Sequence, residues 1–523
     1  MQYVFFHKNA VLLLALMLLT GAAVAQKTKP AVLNGNKSRW IHLDTRGQLE
    51  YATTSKGDRI MDFSYAGYKG GGVKLPEVKE VIRVYSIAGD NTPHIQKAID
   101  SVAKLPLENG FKGAVVLAPG DFPCAQTIII PNSGIVLRGS GAASKIIMTG
   151  APHVAIRLEA PVQTKFMGNK ALITDSYIPS GTQAMTVADP GTLVAGDLVQ
   201  ISKPITPEWV QFMGMDTLVR EGKKQTWITG ELTVERTIKT INGNKITVDV
   251  PFTDSYDAAF TKPGAAVQRI VKTGGIQNVG VEYLVIEAPE QSVTISQGHH
   301  SAIRTRGLTD GWVRDVQIRN TVNSVGIGGK QITVTDLDIR HTVPTIGAAK
   351  PADLSADGAQ LLFNRCTIRG DNVFFLATGA KVSGPIVLLH CTFTGNGWIQ
   401  PHQRWATALL VDGCNVPDGG IDFMNRGEMG SGHGWAIGWA VAWNCNAKSY
   451  LNQQPPGAYN WVIGCVGTPQ QRAMPFNKEP ILPEGVYDAH GAVVVPASLY
   501  LAQLKSRLGE KATEALGGAG GKW

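Results

Sequence analysis

Eight short segments stand in one register: VEYLVI (281–286), VRDVQI (313–318), TDLDI (335–339), FNRCTI (363–368), LLHCTF (388–393), VDGCNV (411–416), AWNCNA (442–447) and VIGCVG (462–467). Aligned, they put Leu284, Val316, Leu337, Cys366, Cys391, Cys414, Cys445 and Cys465 in one column. Successive spacings are 32, 21, 29, 25, 23, 31 and 20 residues, a mean of about 26. A period in the range of about 20–50 residues marks a solenoid, in which one turn cannot bury its apolar side and stacked turns share a core. The period wanders because loops of different length leave each turn while one inward position repeats. Strands stacked about 4.8 Å apart would carry that column through the molecule.

Five of the six cysteines fall in this column. No CxxC pair occurs and their spacing is that of the turns, so metal binding is disfavoured. Bridges between neighbouring turns stay open in an exported chain, but the preferred reading is small, buried, free thiols.

Outward from the column, the pattern extends to the N-terminal side. Gly89-Asp90-Asn91-Thr92-Pro93 opens a helix, with Thr92 as N-cap and Pro93 as first helical residue. Ile95, Ala98, Ile99, Val102 and Ala103 form one apolar stripe. Short strands at 113–119, 127–131, 134–139 and 144–149 follow. Residues 161–270 break the period and read as a β-rich insertion carrying Trp209 and Trp227, with a hairpin turning at Asn242-Gly243-Asn244. Near the C-terminus Ser498 caps a helix with Leu501, Leu504 and Leu508 on one face, covering the last turn or its flank.

The N-terminus sets the compartment. His7-Lys8, the apolar run Ala10–Leu19 and the triplet Ala23-Val24-Ala25 follow the order of a secretory signal peptide, with cleavage before Gln26. Ten apolar residues are too few for a membrane span. A secreted or periplasmic, monomeric protein is expected, without membrane insertion. The domain layout is then signal peptide 1–25, N-terminal extension 26–88, first coils 89–160, insertion 161–270, main coils 271–475 and C-terminal extension 476–523.

Composition agrees with a turn-rich β architecture. The 523 residues hold 59 Gly and 28 Pro, 44% hydrophobic residues and only 17% charged ones. That excludes collagen, coiled coil, a disulfide miniprotein and a disordered chain. The net charge of +8 becomes +7 once Lys8 is removed, a weak lean toward an acidic ligand. No basic run suggests nucleic acid.

The stretches GDNTPHIQKAID (89–100), GAVVLAPGDF (113–122) and IIIPNSGIVLRGSG (128–141), with the coil column, resemble the pectin-lyase-like right-handed parallel β-helix proteins. The resemblance covers about 89–160 and 271–475. DFSYAGYKGGG (62–72) and GSGHGWAIGWA (430–440) are similar to stretches of uncharacterised secreted β-helix proteins of polysaccharide-degrading bacteria. It implies an all-β, single-stranded right-handed parallel β-helix with a capping helix, an inserted β-rich subdomain and a C-terminal helix. It also implies a flank groove for a glycan, acted on by a lyase or a glycoside hydrolase, although fold alone does not fix function. Family catalytic motifs do not carry over. Of the polygalacturonase set only Gly432-His433-Gly434 remains, and Trp312-Val313-Arg314-Asp315 is followed by Val316 where calcium pectate lyases have His. No cofactor is assured, and Ca²⁺ has no supporting carboxylate motif.

Six of eleven His lie between 299 and 433, and six of eleven Trp between 398 and 461. In PHQRWATALLVDGC, His402 and Arg404 alternate and share a face if extended. In NRGEMGSGHGWAIGW, one coil later, Arg426, Glu428 and His433 stand in a Gly-rich loop. His402, Arg404 and His433 are the expected catalytic residues. Arg426, Trp405, Trp435, Lys330, His300, Arg306 and His390 are expected to bind an acidic polysaccharide. This His/Arg richness suits β-elimination from a uronate, which needs a base and a cationic clamp on the carboxylate. Hydrolysis needs two spaced carboxylates, and no adjacent Asp pair is present. A non-catalytic glycan-binding or adhesin β-helix is the remaining class.

Overall fold

The computed structural model describes residues 36–472 and 481–517, so the signal-peptide segment lies outside the described residues. Among the described residues, 26 strands pair into one continuous coiled ladder. Each turn supplies three strand positions. Val373–Thr378, Ser383–Leu389 and Thr392–Thr394 make one turn. Gly397–Ile399, Ala406–Asp412 and the start of Asn415–Phe423 make the next. They stack in parallel register, Val373 on Gly397, Ile386 on Leu409 and Thr392 on Asn415. The chain is a right-handed parallel β-helix, the hand favoured when a twisted strand crosses over to a parallel neighbour.

The column is the spine of the core. Leu284, Val316, Leu337 and the five cysteines are all buried within one apolar cluster. The thiols are free. The Sγ atoms of Cys366, Cys391, Cys414 and Cys445 donate weakly to carbonyls of the preceding coil, as Cys414 does to Leu388 O at 3.6 Å, while Cys465 donates to Ile463 O of its own coil. Burial pushes the Cys391, Cys414, Cys445 and Cys465 thiols well above their ordinary range, so they behave as small apolar groups.

The first helix, Thr92–Ala103, lays Ile95, Ala98, Ile99 and Val102 on the first turns. Its start differs from the capping predicted for Thr92. Asp90 Oδ1 accepts from the Thr92 and Ala125 backbone N–H groups (2.9 and 3.0 Å), because a carboxylate reaches both the helix and the neighbouring turn.

After Glu159 the chain leaves the coil. Val162–Leu172, Ala184–Thr186, Leu198–Pro204, Glu231–Asn242, Lys245–Val248 and Ala266–Gly274 form a six-stranded antiparallel sheet with its own core. The coil resumes at Ile276. The hairpin closes with Asn242 opposite Lys245. A short helix, Pro207–Phe212, projects from this insertion and brings Trp209 onto the coil flank.

The C-terminal helix, Leu499–Leu508, lies on the flank. Its buried face is Leu499, Tyr500, Gln503 and Leu504, with Leu508 exposed, rather than the predicted Leu501/Leu504/Leu508 stripe. Asp412, on the coil strand beneath, sets the rotation. Its Oδ2 accepts from Ser498 Oγ and the Tyr500 N–H, both at 2.7 Å. Between helix and coil runs the strap 62–72, tied by Gln503 to Phe63 and Met61 and by Arg507 to Ser64 and Gly70. Gly71 has φ +86°, and a Cβ there would stand 2.3 Å from the Ser64 carbonyl, so the strap's turn excludes side chains.

Asp412 makes stability depend on pH. Burial holds its carboxyl up at about 7, against an ordinary 3.8, despite the Ser498 and Tyr500 bonds. The unfolded chain ionises first, so this contribution is complete below about pH 4 and lost as pH rises to about 7. A displacement of that size corresponds to about 4 kcal/mol. Urea unfolding near pH 4 and near pH 7 should show Asp412→Asn losing several kcal/mol less than wild type across that interval. Equal losses in both proteins would remove Asp412 as the source.

Candidate functional site

One outward sheet face of the coil carries a cleft of about 470 Å³. It forms where Gly397–Ile399, Asn415–Phe423 and Asn446–Asn452 stack, with Trp398 beside Gly420 and Gly420 beside Ser449. The indole settles over Gly420 because a Cβ there would meet Trp398 Cδ1 at 2.8 Å. Trp398 is partly buried and lines the opening with Lys350, whose ammonium lies 4.6 Å from the ring centroid and donates to Asn372 Oδ1 at 2.6 Å. Burial lowers the Lys350 pKa. Lys448 and Asp418 also line the cleft.

Its inner wall is a relay. Gln400 Nε2 donates to Asp422 Oδ2 at 2.7 Å, and Arg426 Nη1 donates to Gln400 Oε1. The Arg426 guanidinium sits 5.4 Å from the Phe374 centroid, while its buried Nε has no hydrogen-bond partner among the described residues. Burial pushes the Asp422 carboxyl up to about 6, with the Gln400 bond and the Arg426 charge opposing. It also lowers Arg426 to about 10, with Asp422 opposing. That carboxyl, raised by burial, shares the cleft lining with Lys350, Arg426 and Lys448.

The predicted catalytic residues are not part of the cleft lining. His402 packs on Phe374 (5.5 Å between centroids) and on His433 (4.7 Å). Burial, with the Arg426 charge next, lowers them to about 3 and about 4, so both rings are neutral at neutral pH. Neither lines the cleft, whereas Phe374, on which His402 packs, does.

The shared face expected of His402 and Arg404 does not form. Arg404 and Trp405 have φ of 57° and 61°, so the segment turns instead of extending. Arg404 Nη2 donates to the Ser431 carbonyl at 2.9 Å and to its Oγ at 2.6 Å, holding the Gly-rich loop. The loops are neighbours, with Arg404 N–H donating to the His433 carbonyl at 3.1 Å.

The other predicted residues scatter. Trp405 and Trp435 are 3% and 2% exposed, so neither offers a ring face to a sugar. The insertion covers them: Trp209 and Trp227 pack on Trp405, and the Trp435 indole N–H donates to the Met213 carbonyl at 3.0 Å. His300 is buried against His153, with ring centroids 5.0 Å apart. His390 packs over Gly413, and burial and the Arg365 charge lower it to about 4. Arg306 lines a shallow groove with Arg157 and Glu159. Lys330 lines a separate, larger cleft beneath the insertion. Only Arg426 of the predicted set lines the Trp398 cleft.

Lys350, Trp398, Gln400, Asp418 and Asp422 were not singled out as site residues. Asp418, Gly420 and Asp422 alternate along NVPDGGIDF, and that period of two was the available signal for an outward polar row. Among the described residues no group of three or more His, Cys, Asp or Glu is placed to hold a metal ion, and no helix is long and apolar enough to cross a membrane.

Fold and site together define a parallel β-helix with an aromatic, cation-rimmed cleft on its flank. The chain matches no family model and no curated protein. Solved structures similar to it include the tailspike protein gp49 from Pseudomonas phage LKA1, at 15% identity over 72% of this chain and 69% of that one, TM-score 0.31. ORF18 of Geobacillus virus E2 is 12% identical over 78% and 59%, TM-score 0.34. The tailspike of E. coli bacteriophage HK620, in complex with a pentasaccharide, is 9% identical over 84% and 62%, TM-score 0.40. The likeness is one of coiled architecture alone.

Proposed function

We propose that the chain is an exported enzyme that cleaves a uronate-containing polysaccharide by β-elimination in the Trp398 cleft. The observation that carries this reading is the grouping of Trp398, Lys350, Arg426 and Lys448 around Asp422 in one opening. Trp398 supplies a flat face for a sugar ring. Arg426 and Lys448 offset the uronate carboxylate as the C5 carbon becomes enolate-like. Lys350, its ammonium destabilised by burial, serves as the base that takes the C5 proton. Asp422, partly protonated near neutrality, gives a proton to the departing O4 oxygen. The C4–O4 bond breaks as the C4–C5 double bond forms.

A second reading, hydrolysis, is favoured by one observation: Asp418 lines the same cleft as Asp422. A protonated carboxyl and an ionised one flanking a glycosidic bond are the requirement of glycoside hydrolases.

The deciding experiment incubates the full chain with a panel of uronate and neutral polysaccharides. Ultraviolet absorbance reports the unsaturated uronate and a reducing-end assay reports any cleavage. Elimination gives both signals in step, and Lys350→Met abolishes both. Reducing ends without absorbance overturn the elimination and leave hydrolysis. Neither signal, with retention on immobilised glycan, leaves a binding module.

A further inference from the structure

A second cleft is larger than the Trp398 opening. A cavity of about 680 Å³ lies between the inserted sheet and the coil. Its floor is bare backbone: Gly275, Gly307, Gly329 and Gly358 come from successive coils, and a Cβ on Gly358 would stand 2.3 Å from the Gly329 carbonyl oxygen. Its far wall is insertion sheet, including Glu235 and Lys272. Most cations at its margin are engaged. Lys272 pairs with Glu235 at 2.7 and 2.9 Å, Lys381 donates to the Thr229 carbonyl, and Arg236 donates to the Val250 and Pro251 carbonyls at 2.9 and 3.0 Å.

Lys330 is the exception. Its ammonium forms no hydrogen bond or ion pair among the described residues, although most of the side chain is withdrawn from water. Burial lowers its pKa, with the Asp249 and Glu235 charges opposing. Asp357, one coil on, has a carboxyl raised by burial, with the Arg304 charge and the Gly379 backbone opposing, and Lys330 is not its partner. The cavity thus holds a partly desolvated ammonium with no hydrogen-bonded or ion-paired partner among the described residues, beside glycines that a chain molecule can approach closely.

We propose that this cleft is a second binding site, for a linear saccharide bearing carboxylates, with Lys330 as the group that pairs with one carboxylate. The coil geometry suits a linear ligand. Gln277, Thr309, Lys330, Ala359 and Ser383 follow one another coil by coil, so the lining extends about 19 Å along the axis. The inference shares with the reading above only the acidic class of ligand and requires no chemistry in either cleft.

The test is isothermal titration calorimetry of the full chain, silenced by Asp422→Asn. The probes are hexameric oligouronates of several backbones and the same oligomers after carboxyl reduction. Two sites per chain are expected. Trp398→Ala removes one and Lys330→Met the other, while Lys330→Arg keeps both. At the site surviving Trp398→Ala, carboxyl reduction costs roughly tenfold or more in affinity, the worth of a charged hydrogen bond. Three results overturn the proposal: no oligouronate binds the Trp398→Ala chain, Lys330→Met leaves that binding unchanged, or the reduced oligomers bind there equally well. Absence of any cleavage product, with Lys330-dependent binding intact, sinks the enzymatic reading alone.

Discussion

Asp254→Ala is expected to release the inserted sheet from the coil and to cost about 3–5 kcal/mol, the range for stranding one partner of a buried ion pair. Asp254 is the point where the insertion grips the helix. Its Oδ2 accepts from Lys203 Nζ at 2.9 Å and from the Trp405 indole N–H at 3.0 Å, and its Oδ1 accepts from Trp439 at 2.9 Å. Lys203 also faces the rings of Trp209 and Tyr256, at 5.0 and 5.5 Å. Truncation leaves an ammonium whose side chain is 5% exposed and two buried indoles without acceptors. Urea unfolding followed by tryptophan fluorescence reports the loss, and limited proteolysis at 205–230 reports the release. Lys203→Met with Asp254→Leu should cost less than Asp254→Ala, because no charge is then stranded. An Asp254→Ala protein within about 1 kcal/mol of wild type, and equally protease-resistant, would mean that the clamp does not hold the insertion.

Asp422→Asn should lower turnover by about 10²–10⁴-fold, the contribution of a positioned general acid. The amide keeps the shape and an acceptor for Gln400 but has no proton to give. Because burial places the wild-type carboxyl at about 6, activity should fall as pH rises through that value. The residual activity of the variant should lack that limb. The measurement is a pH–rate profile of both proteins on the substrate found in the panel. A variant keeping more than about a tenth of wild-type turnover with an unchanged profile would take Asp422 out of the chemistry. Binding at the Lys330 cleft should not change in this variant.

The coil was legible because its cause repeats. Leu284, Val316, Leu337 and the five cysteines recur at one inward position, and their burial in one cluster follows from stacking alone. The hairpin at Asn242–Lys245 was legible for a similar local reason. Helix starts were less so. Asp90 took the role predicted for Thr92 because it also serves Ala125, whose closeness no local pattern reveals.

The adjacency of the 402–404 and 426–433 loops followed from coil spacing, but the direction of their side chains did not. Positive φ at Arg404 and Trp405 sends His402 toward Phe374 and Arg404 toward Ser431. Trp405 and Trp435 looked like sugar platforms in sequence and became anchors for the insertion, whose Trp209, Met213 and Trp227 arrive from about two hundred residues upstream.

What the sequence determined by itself is therefore the parallel β-helix, its core column and the presence of an inserted β-rich subdomain. These rest on a period that each turn repeats and on apolar groups that must leave water. What only the tertiary structure decided is which polar groups face one another. Trp398, Gln400, Asp422 and Arg426 meet through lateral stacking of different turns, and Lys330 is enclosed by a sheet inserted before its own coil begins. Burial by distant segments then sets their ionisation, raising Asp422 and lowering Arg426 and Lys330. Desolvation depends on everything packed around a group, and a linear order of residues does not contain that sum.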